Sequence, residues 1–429
     1  MEQQPRTERS QRSRVVRWAL ALSLCLLVVL GAFGVYMVRS RAATPTCAAS
    51  CPLLLYGGNT GLTTAPGQVT GIRQSDGATL WNTPLTNLGN AYLASGASGE
   101  AYLATMNCAV RPCTHWIVAL RVRDGALLWH VQITGTVLYM ITASVGVYAE
   151  NFDDIHSTLV FHALSAGTGA SLWHAPAGMR SFTPLAISNG TLYVAATDAT
   201  FNRSLLAVRD DTGIPVFHVV LPYVFAVPPS SVSPSSTGVI YASINESPGN
   251  ALIYAISARD GAILWKHTLP PSGVRGGWED LSLTQSALLV VEPYNVYALD
   301  RTTGTVRWHF PVPAAAFALG TADSARVYLF LTGQSNWPAG TRPETTTLRA
   351  LDPRTGATLW SRSASLYNQD FTLANGSLFI SQTALPASTC TPNCVAKDGP
   401  TTVCALDVAT GATSWCARQS RPGTILAAD

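Results

Sequence analysis

Ala350-Leu351-Asp352-Pro353-Arg354-Thr355-Gly356-Ala357-Thr358-Leu359-Trp360 reads as the end of one strand, a tight turn and the start of the next strand. The Asp352 side chain suits turn amides, and Gly356 tolerates the positive φ that such a turn demands. Trp360 then places a large ring at a fixed distance from the turn. Counting back from it, glycine stands at minus four, a small residue at minus ten and an aliphatic residue at minus nine.

The same frame fits Gly71…Gly77…Trp81, Ala119…Gly125…Trp129, Ala163…Gly169…Trp173 and Ala207…Gly213…Phe217. It fits again at Ala255…Gly261…Trp265, Ala298…Gly304…Trp308 and Ala405…Gly411…Trp415. Position minus nine is Ile72, Leu120, Leu164, Val208, Ile256, Leu299, Leu351 or Leu406. Seven of the 11 tryptophans share one register. The units lie about 48 residues apart on average, a period that marks propellers or solenoids.

This frame resembles the Ala-x-Asp-x-x-Thr-Gly-x-x-x-Trp repeat of the pyrroloquinoline-quinone-like β-propellers. That family includes quinoprotein alcohol dehydrogenases and the outer-membrane assembly lipoprotein of Gram-negative bacteria. The likeness runs from about Pro52 to the end of the chain. It implies an all-β fold: an eight-bladed β-propeller of four-stranded antiparallel blades over residues 52–429. It also implies that Trp81, Trp129, Trp173, Phe217, Trp265, Trp308, Trp360 and Trp415 dock between neighbouring blades, against the small residue and turn of the repeat. Phe217 departs from the pattern, as do the Asp-Gly turns at Asp76, Asp124 and Asp260.

Upstream, residues 1–17 form a basic tail, and 18–38 run without a charge. At 1.5 Å per residue that stretch spans roughly 30 Å, the hydrocarbon thickness of a bilayer. Five arginines precede it and two follow, so the positive-inside rule leaves the N-terminus cytoplasmic. The expectation is a single-pass signal anchor in the plasma membrane, a stalk over 39–51 and an extracytoplasmic propeller. Net charge is +3 overall, but removing residues 1–41 leaves 20 basic against 22 acidic residues. A near-neutral body excludes a nucleic-acid footprint.

Cysteine usage agrees with an oxidising compartment. Beside Cys25, the couples Cys47–Cys51, Cys108–Cys113, Cys390–Cys394 and Cys404–Cys416 are candidate disulfides, with a stalk-to-loop pairing of Cys47 or Cys51 to Cys390 or Cys394 as the rival. Zinc is disfavoured because no C-x-x-C with nearby histidines occurs. The ends suggest how the ring closes: the first repeat has room for three strands, and Gly423–Ala428 matches the inner strand of the other repeats. That last strand is expected to complete the first blade and remove an exposed edge.

Connections between second and third strands look long at Met106–His115, Glu150–Ser157, Gly333–Pro343 and Leu385–Pro400, with Pro228–Ser236 a further irregular run. Variable loops on a rigid scaffold are where binding usually resides. Glu150, Asp153, Asp154 and His156 are the densest cluster of potential oxygen ligands for Ca²⁺, against the favoured reading of a solvated acidic loop. Trp116 and Trp337 lie in or beside such loops. Asn189 and Asn375 open Asn-Gly hairpin turns and, with Asn202 and Asn245, stand in Asn-x-Ser/Thr sequons.

No catalytic set of nucleophile, base and orienting group stands out. There is no C-x-x-C-H, no H-E-x-x-H and no adjacent cysteine pair. The favoured expectation is therefore a membrane-anchored binding or scaffold module. Its long-loop face would take another protein or a surface ligand, with no cofactor. One alternative is a quinoprotein-like oxidoreductase holding pyrroloquinoline quinone and Ca²⁺ at the funnel mouth. The other is an extracellular sensor signalling through a membrane partner.

Overall fold

A computed structural model describes residues 53–56, 67–108, 113–153, 155–220, 231–235, 237–246, 250–270, 280–292, 294–312, 316–333, 345–365, 367–383, 401–419 and 424–427. All belong to the unit Ser40–Asp429. They form eight four-stranded antiparallel sheets, the eight blades of an all-β propeller. Blades two to eight each run from inner to outer strand in chain order, as in Asn90–Ala97, Glu100–Asn107, Thr114–Arg121 and Leu127–Ile133 of blade two. Blade one takes its inner strand from the other end of the chain. Thr424–Ala427 pairs with Leu53–Tyr56, Leu54 opposite Leu426, so the C-terminal strand closes the ring.

The core lies between blades rather than within them. Tyr241, Ile253 and Ala255 of blade five pack on Leu281, Val290 and Leu299 of blade six. Across the closing seam Leu53, Ile72 and Ile425 meet Phe379, Val403 and Ala405. Strands buried on both faces carry long apolar runs for this reason, as in Ala287-Leu288-Leu289-Val290-Val291.

Inner hairpins turn where the sequence provides residues for the left-handed region. Asn189 and Gly190 have φ of 49° and 72°, and Asn375 and Gly376 have 47° and 72°, the signs a two-residue type I′ turn requires. Disulfides join Cys108 to Cys113 and Cys404 to Cys416. Cys404 and Cys416 are direct cross-strand partners. The couples Cys47–Cys51 and Cys390–Cys394, and the stalk pairing, lie outside the described residues. So does the apolar stretch 18–38. Among the described residues no helix is long and apolar enough to cross a membrane.

Two expected loops are shorter than their sequences suggest. Glu150 to Asp153 still belong to the strand Gly146–Asp153, whose last residue pairs with Thr158. Met106 and Asn107 likewise pair with His115 and Thr114. The Pro/Ser-rich run also contains a strand, Ser231–Pro234, the inner strand of blade five. Proline is admissible there because an inner strand is an edge, paired on one side only. Most of Gly333–Pro343 and all of Leu385–Pro400 fall outside the described residues.

Candidate functional site

The seams set the geometry on which any site must be built. Trp81, Trp129 and Trp173 each donate the indole N–H to a backbone carbonyl of the next blade: Val122, Ala166 and Asp210, at 3.1, 2.6 and 2.8 Å. Trp265, Trp308, Trp360 and Trp415 do the same to Arg301, Pro353, Val408 and Gln74. The acceptor is always three residues beyond the small residue of the neighbouring repeat. Phe217 has no N–H to give, but its ring still packs on the turn glycine Gly261, as Trp173 does on Gly213.

A second aromatic register, missed in the sequence, explains the small residue. Tyr102, Tyr148, Tyr241, Tyr328 and Phe379 stand directly across from Ala119, Ala163, Ala255, Ala350 and Ala405. On the other side of each alanine is the repeat's tryptophan. The two rings approach over the methyl group, with centroids 5.8 Å apart for Tyr102 and Trp129 and 5.8 Å for Tyr241 and Trp265. A larger residue would separate them. Tyr148 and Tyr241 also donate to the same carbonyl as their tryptophan partners, those of Asp210 and Arg301. The tell-tale was an aromatic in every second strand but two, Tyr193 opposite Ala207 being the sixth.

On the long-loop face, Asp153 and His156 come together but Glu150 turns away from them. Three positions apart on one strand, Glu150 and Asp153 point to opposite sides. Glu150 is 1% exposed and turns into the seam with blade four. It accepts hydrogen bonds from the Phe182 amide at 2.8 Å and the Thr183 hydroxyl at 2.5 Å, and burial raises its pKa. Asp153 instead caps the turn, accepting from the amides of Ile155 and His156 and pairing with His156 Nδ1 at 2.8 Å. The His156 contact holds its carboxyl below the usual range. Asp154 lies outside the described residues. Among the described residues no three His, Cys, Asp or Glu side chains gather to hold a metal.

Among its described residues this face exposes three large apolar side chains. Ile155 is 77% exposed at the tip of the blade-three turn. In blade four, Asp198 folds its loop tightly, accepting from the amides of Thr200 and Asn202 and from their side chains. That loop forces Phe201 to φ 67°, a conformation costly for a bulky side chain. The ring is 57% exposed, with the Arg180 guanidinium 4.1 Å from its centroid. Val220, at the end of the outer strand, is exposed nearby in the same blade. The other exposed large hydrophobics lie on the opposite face, mostly where outer strands begin beside the glycine turns. Trp116 is no loop residue: it sits in a strand, packs against the blade-one and blade-two core and meets His130 edge-on. Trp337 lies outside the described residues.

A buried carboxyl at blade six also escaped notice. Glu292 is held by the Asn295 amide at 3.4 Å; Asn295 Oδ1 contacts His309 Nε2 at 2.8 Å, and that imidazole stacks on Tyr297. Burial pushes the Glu292 pKa up to about 7.

Eight four-stranded sheets, wedged by seven indoles and the phenyl ring of Phe217, make a β-propeller built on the pyrroloquinoline-quinone-like repeat. Residues 249–426 match the family described as outer membrane protein assembly factor BamB. The fold is similar to BamB from Moraxella catarrhalis, with a TM-score of 0.55 at 14% identity over 81% of this chain and 92% of that one. It is also similar to the quinohemoprotein alcohol dehydrogenase ADHIIG from Pseudomonas putida HK5, with a TM-score of 0.50 at 14% identity over 76% and 66% of the two chains. In sequence, tetrathionate hydrolase from Acidithiobacillus ferrooxidans is 26% identical over 276 residues, 56% of this chain and 50% of the hydrolase. The chain thus spans about half the length of that curated relative.

Proposed function

We propose that the protein is a membrane-tethered, extracytoplasmic scaffold whose long-loop face, at blades three and four, holds a protein partner. The observation that carries this is Phe201: a solvent-facing ring fixed in an unfavourable backbone conformation by the Asp198 turn and covered on one side by Arg180. Aromatic and arginine anchors of this kind dominate binding energy at protein interfaces. Ile155 on the adjacent blade is a second exposed apolar side chain on this face. Similarity to an assembly factor favours the binding reading. The tether is the stretch 18–38, and the two disulfides suit an oxidising compartment.

Site-specific photo-crosslinking in host cells tests it. A crosslinker at Ile155 or Phe201 should capture a discrete protein adduct, lost with Arg180→Glu, while one at Leu359 on the opposite face should not. Equal adducts from both faces would end the proposal.

The oxidoreductase reading rests on the likeness to ADHIIG and the hydrolase. A quinone held with a divalent cation calls for converging oxygen ligands, and no observation at the funnel mouth singles out such a set.

A further inference from the structure

Between blades five and six, on the turn face opposite the long loops, a cleft of about 440 Å³ opens at the seam. Its walls include Tyr241, Leu264 and Trp265 of blade five and Ser286, Arg301 and Arg307 of blade six. The repeat itself puts Arg301 there. The carbonyl three residues past the small residue receives the neighbouring indole in every tryptophan-bearing seam, and at this seam that residue is Arg301, pinned by Trp265 and Tyr241. The other blades carry Gln74, Val122, Ala166, Asp210, Ala258, Pro353 and Val408 at the same position. Blade six alone places a cation at its seam carbonyl.

That cation is not neutralised. Asp300, the nearest carboxylate in sequence, is taken by Arg307 through Nη2 at 2.5 Å and Nε at 3.2 Å. Arg301 makes no ion pair among the described residues; its Nη1 reaches only the carbonyls of Thr284 and Gln285, at 3.3 and 3.4 Å. Those two contacts fix the guanidinium and leave most of its five donors unused. Beside it, the Ser286 hydroxyl is buried with no hydrogen-bond partner among the described residues. Opposite stand the half-buried indole of Trp265 and the exposed side chain of Leu264.

We propose that this cleft binds a small organic anion, its carboxylate or phosphate head on Arg301 and Ser286 and its flat apolar body against Trp265 and Leu264. A guanidinium matches either head through paired N–H donors; Gly304 and Tyr241 already cover part of the Trp265 ring, so the apolar body lies against Leu264 and the part of the indole left exposed. The site is independent of the long-loop face and does not rest on the scaffold reading.

Calorimetric titration of the full chain tests it, with benzoate and phenyl phosphate as anionic probes and benzyl alcohol as the neutral control. Both anions should bind, more weakly as salt rises, and benzyl alcohol should not; the ratio of the two anion affinities distinguishes a carboxylate from a phosphate site. Arg301→Gln, which keeps a donor for the two carbonyls, should weaken anion binding roughly tenfold or more. Leu264→Glu, at an exposed position that folding does not need, should abolish it, while Arg354→Gln on blade seven should change nothing. Equal binding of benzyl alcohol, wild-type affinity in Arg301→Gln or Leu264→Glu, or no anion binding at about 10 mM would overturn the proposal.

Discussion

The indole nitrogen of Trp415 donates a hydrogen bond to the carbonyl oxygen of Gln74, 2.8 Å away and 341 positions back along the chain. The same ring lies on Gly77, where an added Cβ would come within 2.5 Å of it. Blade eight is thereby wedged to blade one by the device that joins blades one and two through Trp81 and Val122. Ring closure is one more repeat of a local rule, reinforced by the C-terminal strand.

Two substitutions separate the ring's contribution from that of its N–H. Trp415→Phe keeps an aromatic wedge and leaves the Gln74 carbonyl without this donor, a loss of about 1 kcal/mol. Trp415→Ala removes the wedge and should cost about 3–5 kcal/mol. Denaturant titration followed by fluorescence and circular dichroism measures both; equal losses would show that packing plays no part.

Gly411 carries two constraints at once. Its φ is 72°, and a Cβ there would meet Trp360 Cε3 at 2.7 Å. Gly411→Ala should destabilise by about 2–3 kcal/mol, the sum of a left-handed penalty of 1–2 kcal/mol and a forced shift of the indole. Gly376→Ala, with the same φ and nothing within 4 Å, should cost only the first part. The difference between the two variants in thermal unfolding isolates the seam contact.

Glu292 gives a pH signature. Its folded pKa of about 7 lies above the ordinary glutamate value of 4.5, so between those values the native state binds more protons than the unfolded chain. Stability should fall as pH rises through that window and level off above it. Glu292→Gln should be nearly neutral at pH 4 and stabilising by about 3 kcal/mol at pH 8, from 1.36 kcal/mol per pH unit. Melting curves across the range check this, and a pH-independent difference would refute the assignment.

The two bonded cysteine pairs should matter unequally. Cys404–Cys416 spans 12 positions and Cys108–Cys113 only five, and loop-closure entropy grows with separation. Replacing both Cys404 and Cys416 by Ala should cost about 3 kcal/mol and replacing the shorter pair about 2 kcal/mol, as read from denaturation midpoints under oxidising conditions.

Much of this was legible because one register repeats. Gly356 and Trp360 fix a turn and a wedge wherever the frame recurs, and eight occurrences gave eight blades. The closing strand could be read because blade one lacked a fourth. What escaped were consequences of packing at a distance. Glu150 reads as a loop acid until the Phe182 amide and Thr183 hydroxyl, 32 and 33 residues on, arrive to satisfy it. Ser231–Pro234 reads as irregular because proline argues against a strand, yet an inner edge leaves its missing N–H unneeded. Arg301 stood in plain view as the single cation at its repeat position, but its value depends on Arg307 having already claimed Asp300.

Closure of the eight-bladed ring is tested most directly by thermal unfolding of the chain lacking residues 422–429. Removing that strand exposes the edge of Leu53–Tyr56 and takes away Ile425, 3% exposed at the closing seam. The midpoint should fall by about 5 °C, as a loss of several kcal/mol implies at this size. An unchanged melting curve would contradict the closure and, with it, the ring.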